Sequence, residues 1–108
     1  MKLIIGGAYQ GKTAYAQEHY GDLDMVKDFH LEVLEWVKQG IDPVTYVKEN
    51  MTIYQGQIIV SDDVSCGVVP IDPVLRKWRE EMGRTLTLLA KESSEVVRVF
   101  CGLGTRLK

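Results

Sequence analysis

The chain predicts a small three-layer α/β sandwich around a mainly parallel sheet of three or four strands. Short apolar runs recur at Lys2–Ile5, Gln57–Ser61 and Glu95–Phe100, bounded by glycine or polar residues. Between them lie stretches with helical spacing of apolar residues. Strands that alternate with helices pair in parallel through right-handed crossovers.

Taken in order, Lys2–Ile5 is a buried strand that ends at Gly6-Gly7. Gly11–Tyr20 follows as a helix that Gly21 stops. Met25–Asp28 reads either as a short strand or as a loop. Leu31–Gln39 returns to helical spacing through Leu31, Leu34 and Val37, and Gly40 ends it. Asp42-Pro43 is an N-cap followed by proline at the first helical position. The short helix it opens would turn Val44, Val47 and Met51 inward. Ile58-Ile59-Val60 forms the second clear strand. Asp72-Pro73 repeats the cap and begins the longest helix, Pro73 to Glu92. Its apolar stripe is Val74, Leu75, Trp78, Met82, Leu86, Leu89 and Ala90, and Glu80 and Arg84 are spaced for an ion pair. Glu95–Phe100 closes the pattern, with Arg98 marking a less buried face or edge. Trp36 and Trp78 fit the packing stripes of their helices, and His19 and His30 are expected to be structural or exposed.

At 108 residues the chain is long enough for one domain, residues 1–108, and one modest core. A net charge of -2 offers no field for nucleic acid. No apolar run approaches the ~20 residues that span a bilayer, and the three apolar residues after Lys2 are too few for a secretion signal. A cytoplasmic protein is expected, complete at both ends. Cys66 and Cys101 are expected to be reduced thiols packed as small hydrophobes, and neither belongs to a zinc-type cluster.

The residues Gly6-Gly7-Ala8-Tyr9-Gln10-Gly11-Lys12-Thr13 satisfy G-x-x-x-x-G-K-[ST] between a strand and a helix. Gly6 and Gly11 permit backbone angles that turn the loop's N–H groups inward on phosphate oxygens. The following helix adds its positive end. Lys12 can reach the β- and γ-phosphates, and the Thr13 hydroxyl can ligate Mg²⁺. The motif implies a P-loop NTPase-like domain that binds Mg²⁺ with ATP or GTP. No residue pattern chooses the base.

A second acidic ligand belongs at the end of a neighbouring strand. Ile58–Val60 runs through Ser61 into Asp62 and Asp63. Either carboxylate can hold metal through water, or accept a proton from an attacking hydroxyl, or simply solvate the turn. Asp62 is assigned to the metal with Thr13, and Asp63 to catalysis with Lys12. Asp28 is a weaker metal candidate. Arg76 and Arg79, early on the long helix, are candidates for a substrate phosphate or for a solvated helix face.

The segment Ile59-Val60-Ser61-Asp62-Asp63-Val64-Ser65-Cys66-Gly67-Val68-Val69-Pro70 resembles a signature of one family. That family is the bifunctional adenosylcobinamide kinase/adenosylcobinamide-phosphate guanylyltransferase of cobalamin biosynthesis, whose members read V-S-N-E-V-G-x-G-I-V-P there. Its likeness continues through Arg76-Lys77-Trp78-Arg79, Gly83-Arg84, Leu89-Ala90, Glu95-Val96 and Gly102-Leu103-Gly104-Thr105-Arg106-Leu107-Lys108. The family's opening loop, G-G-x-x-x-G-K-S, is similar to Gly6–Thr13.

The resemblance implies phosphorylation of the aminopropanol hydroxyl of cobinamide by a nucleoside triphosphate. It also implies transfer of GMP through a guanylylated histidine, and a homo-oligomer. Asp63 stands where the family has glutamate, Asp62 where it has asparagine, and Ser65 where it has glycine. The segment that carries the histidine in the family is nearly absent between Thr13 and Asp28, so that role passes to neither His19 nor His30. The expected function is a compact cobinamide kinase without the guanylyltransferase half. The alternatives are a catalytically degenerate nucleotide-binding module for regulation or assembly, and a kinase acting on another small alcohol.

Overall fold

A computed structural model describes residues 1–64 and 69–108. Ser65 and Cys66 and the rest of the signature's centre lie outside the described residues. Among the described residues the sheet has five strands, in the order β2-β3-β1-β4-β5. β1 (Lys2–Gly6) is central and pairs in parallel with β3 (Ile58–Asp62) and β4 (Glu95–Phe100). β2 (Met25–Val26) extends the parallel set beyond β3. β5 (Leu103–Arg106) turns back antiparallel on β4.

Period-two alternation along the strands builds the three layers. Ile4, Ile58, Val60, Val97 and Val99 point to one face and meet Ala16 of α1 (Lys12–Tyr20). Leu3, Ile59 and Val96 point to the other. There they meet Phe29, Val33 and Val37 of α2 (Phe29–Lys38), Val47 of α3 (Pro43–Glu49) and Met82, Leu86 and Leu89 of α5 (Pro73–Glu92). A one-turn helix α4 (Met51–Tyr54) adds Tyr54 to that core. Each fully buried side chain of this kind contributes about 1.5–3 kcal/mol. None of the helices among the described residues is long and apolar enough to cross a membrane.

The two aspartate–proline starts are built as their sequences predict. Asp42 accepts the Val44 N–H, and Asp72 accepts those of Val74 and Leu75. Such caps are worth about 0.5–2 kcal/mol each. At the start of β4, Glu95 ties three other elements to its strand. It accepts from Lys2 Nζ at 2.9 Å and Tyr20 Oη at 2.8 Å, with Arg106 Nη1 at 3.9 Å. The Lys2 bond, then the Tyr20 bond, holds the Glu95 carboxyl below the usual carboxylate range. Burial, reinforced by Glu95, pushes the Tyr20 phenol up to about 12.

Several details differ from the sequence expectations. The sheet carries five strands rather than three or four, because β5 pairs through its backbone while all four of its residues stay exposed. No apolar pattern announces such a strand. The buried stripe of α2 is Phe29, His30, Val33 and Val37, and Leu31 is 49% exposed. Val74 and Leu75 are also exposed, since the first turn of α5 extends beyond the sheet core. Arg84 pairs with Glu81 at 2.6 Å rather than with Glu80. Cys101 is an exposed free thiol in the β4–β5 turn, not a packed one.

Candidate functional site

The parallel register sets Gly6 of β1 opposite Asp62 of β3. Both strands therefore end together, at the carboxyl edge where open α/β sheets bind ligands. Gly6 is packed so tightly that a Cβ would lie 2.5 Å from the Val99 carbonyl oxygen. The Gly6 carbonyl in turn accepts the Asp63 N–H at 2.9 Å. No larger residue than glycine fits at the root of this loop.

From Gly7 the chain arches outward to Tyr9, which is fully exposed at a left-handed φ of 59°. It returns through Gly11, at φ 86°, into α1. The loop is clamped from behind by the β4–β5 turn. Cys101 N–H donates to Gln10 Oε1 at 2.8 Å, and Gly102 N–H donates to the Gln10 carbonyl at 2.8 Å. No side chain caps the N-terminus of α1 at Gly11.

The cleft this creates has a volume of about 340 Å³. Residues Ala8 through Ala14 line one wall, and Asp28, Val60, Ser61 and Asp62 line the other. Lys12 is buried at its base, 8% exposed. Its Nζ donates to the Gly7 carbonyl at 2.6 Å and lies 2.6 Å from Asp62 Oδ1. The ammonium is thus aimed across the loop mouth and neutralised by one carboxylate. A compact cation and a helix start without a side-chain cap together favour an anion.

The sequence-predicted residues fall into two groups. The structure brings Ala8, Tyr9, Gln10, Gly11, Lys12, Thr13, Asp28 and Asp62 to one cleft. Gly6 and Gly7 do not line it, but the Gly7 carbonyl accepts from Lys12 Nζ. Asp63 follows at the strand end without lining it, and Arg76 and Arg79 do not line it either. Arg76 is exposed and Arg79 half-buried on α5, which packs against α2 and α3. His19 stacks on Tyr15 at 3.9 Å on the exposed side of α1.

Two contributors escaped the sequence reading. One is the Gln10 clamp, which depends on a turn that no local signal links to the loop. The other is His30, which is buried and touches Asp62 twice. Its Nδ1 accepts the Asp62 N–H at 3.0 Å, and its Nε2 lies 3.4 Å from Asp62 Oδ2. Only the packing of α2 on β3 brings the two residues together.

A family model described as cobinamide kinase / cobinamide phosphate guanyltransferase matches residues 25–107, more than half of the chain. The match spans the middle segment, Met25 to Gln57, that the resemblance read from the sequence left uncovered. It begins beyond the glycine-rich loop, whose chemistry therefore rests on the geometry above. No curated protein matches the chain.

Proposed function

The chain belongs to the cobinamide kinase / cobinamide phosphate guanyltransferase family, and from that premise we propose that it is a P-loop kinase. It transfers the γ-phosphoryl group of a nucleoside triphosphate to the aminopropanol hydroxyl of cobinamide. The observation that carries this reading is the Lys12 ammonium, buried in the cleft between the Gly7 carbonyl and Asp62.

Phosphoryl transfer demands positioning and charge neutralisation more than covalent chemistry. On phosphate entry, Lys12 exchanges Asp62 for the β- and γ-oxygens. The loop N–H groups and the α1 N-terminus hold the remaining charge. Mg²⁺ belongs to this reading. Among the described residues no three acidic, His or Cys side chains cluster as a metal site. A cation bound mainly by phosphate and water needs only one or two protein oxygens, and Thr13 and Asp62 fit that need. When bound, Mg²⁺ neutralises charge that develops on the phosphate oxygens. The acceptor oxygen forms its bond to phosphorus as the bond to the β-phosphate oxygen breaks. Its proton passes, directly or through one water, to a carboxylate; Asp63, one residue beyond the lining Asp62, is the candidate, and the nucleoside diphosphate leaves.

The kinase half is favoured over the guanylyltransferase half by the placement of the histidines. Neither lines the cleft: His30 is engaged with Asp62, and His19 is stacked on Tyr15. A homo-oligomer forms part of the same reading, supported by exposed Phe100, Leu103 and Leu107 along the β4–β5 end. Sedimentation reads it directly.

The deciding experiment supplies adenosylcobinamide with ATP or GTP labelled on the γ- or α-phosphate. Label from the γ-position in cobinamide phosphate is the expected result. Tight nucleotide binding without such product would instead favour a regulatory or assembly module. Label from the α-position retained on denatured protein would restore the guanylyltransferase role.

A further inference from the structure

His30 sits at the second position of α2 and is 7% exposed. Its ring engages both the backbone and the carboxylate of Asp62. A backbone N–H only donates, so Nδ1 is the accepting nitrogen and the ring proton resides on Nε2. Nε2 itself lies 3.4 Å from Asp62 Oδ2. His30 is itself held by α5. Trp78 Nε1 donates to the His30 carbonyl at 2.8 Å, and the two rings stack at 6.4 Å with 28° between their planes. A chain of contacts thus runs from Trp78 through His30 and Asp62 to Lys12.

We propose that His30 is a positioning residue, which fixes the Asp62 carboxylate so that Oδ1 is presented to the cleft and Oδ2 is turned inward. The inference rests on reading Lys12 and Asp62 as the phosphate and metal end of a nucleotide site. Its physical reason lies in the exchange that Lys12 must make. The Lys12 ammonium holds Oδ1 at 2.6 Å, and it leaves that oxygen when phosphate enters. The terminal torsion of an aspartate is broad and roughly two-fold. Without a second anchor, the freed carboxylate would turn away or swing toward the incoming phosphate. His30 places Nε2 beside Oδ2 and accepts the Asp62 N–H, from a residue whose backbone carbonyl Trp78 holds. Groups held in place before the reaction cost no reorganisation during it.

The test has two arms. The first needs no nucleotide: imidazole ¹⁵N NMR of the intact protein is expected to show His30 with its proton on Nε2, and that signal is expected to shift in D62N. A ring protonated on Nδ1, or one indifferent to D62N, overturns the proposal. The second arm compares His30→Phe, His30→Asn and His30→Gln in Mg²⁺-dependent nucleotide binding, kcat, KM and melting temperature. His30→Asn keeps an acceptor for the Asp62 N–H. It is expected to melt near wild type while kcat falls about 10–100-fold, the cost of a displaced catalytic group. His30→Gln, whose amide reaches toward Oδ2, is expected to recover part of kcat. His30→Phe loses both functions. Full kcat in His30→Phe, or full recovery in His30→Asn, reduces His30 to a structural pin and overturns the proposal. If wild-type protein binds neither Mg·ATP nor Mg·GTP, the nucleotide reading itself falls, which is a different result from wild-type binding that His30→Phe leaves untouched.

Discussion

Lys12 Nζ lies 2.6 Å from Asp62 Oδ1, a contact that joins the first turn of α1 to the last residue of β3. It exists because β1 and β3 run parallel in a register that aligns Gly6 with Asp62. The loop that leaves β1 and the carboxylate that ends β3 are therefore neighbours by construction. In the proposed reading, the pair holds a cation for the phosphate and an acid for the metal.

That pairing predicts opposite effects of metal in two variants. In D62N, Lys12 loses its competing partner and phosphate loses a repelling charge. Metal-free ATP should bind several-fold tighter, while the gain in affinity on adding Mg²⁺ should disappear. In K12M, binding should weaken about 10–100-fold in either condition, or ~1.4–2.8 kcal/mol. Calorimetric titrations with and without EDTA check both. Equal Mg²⁺ dependence in D62N and wild type would remove Asp62 from the metal site.

Gly6→Ala should damage the fold before it damages binding. Its Cβ would lie 2.5 Å from the Val99 carbonyl oxygen, and neither partner is the end of a flexible side chain. Overpacking of this kind costs about 1–3 kcal/mol. At roughly 4–8 °C per kcal/mol for a domain near this size, thermal melting should register a fall of several degrees or more. An unchanged melting temperature would mean that β1 and β4 are less closely packed than described.

Gln10→Ala should do the reverse. The side chain contributes one bond to the Cys101 N–H at 2.8 Å, in an exposed turn. Stability should change by no more than the ~0.5–1.5 kcal/mol of a single hydrogen bond. The loop loses half of its clamp, so nucleotide affinity should drop about 3–10-fold. If melting temperature falls steeply while affinity holds, the clamp serves the sheet edge rather than the loop.

The Glu95 cluster predicts a stability profile with two separable flanks. The folded Glu95 carboxyl titrates below its ordinary value. Its contribution is therefore present above the unfolded pKa, about 4.3, and is lost as pH falls through the folded one. The folded Tyr20 phenol is raised to about 12. Its contribution is present below about 10 and is lost as pH rises from there to about 12. Melting curves of E95Q should lose the acid flank, and those of Y20F the alkaline one. Profiles parallel to wild type would show that the cluster is not made in solution.

Much of this architecture was written locally. The bounds of α5 and β4 follow from the Asp72-Pro73 cap and from the apolar run at Val96. Gly6 through Thr13 announced the loop through residue types that only that backbone needs. Elsewhere local signals misled or were missing. Leu31 carries the spacing of a buried stripe, yet α2 rotates Phe29 and Val33 inward and leaves it in solvent. β5 carries no apolar pattern because its partner is the backbone of β4, not the core.

The division between the two kinds of knowledge has a physical basis. Caps, glycine angles and apolar periodicity act over a few residues, so the sequence by itself determined β1, α1, β3, α5 and β4 and the residue types of the loop. Register, layer packing and the Asp62 rotamer depend on contacts between residues far apart in the chain. Only the tertiary structure decided that Asp62 rather than Asp63 lines the cleft, that Gln10 is gripped by the β4–β5 turn, and that His30 stands behind Asp62. A carboxylate can be read from a strand end, but the neighbours that surround its two oxygens are supplied by the fold.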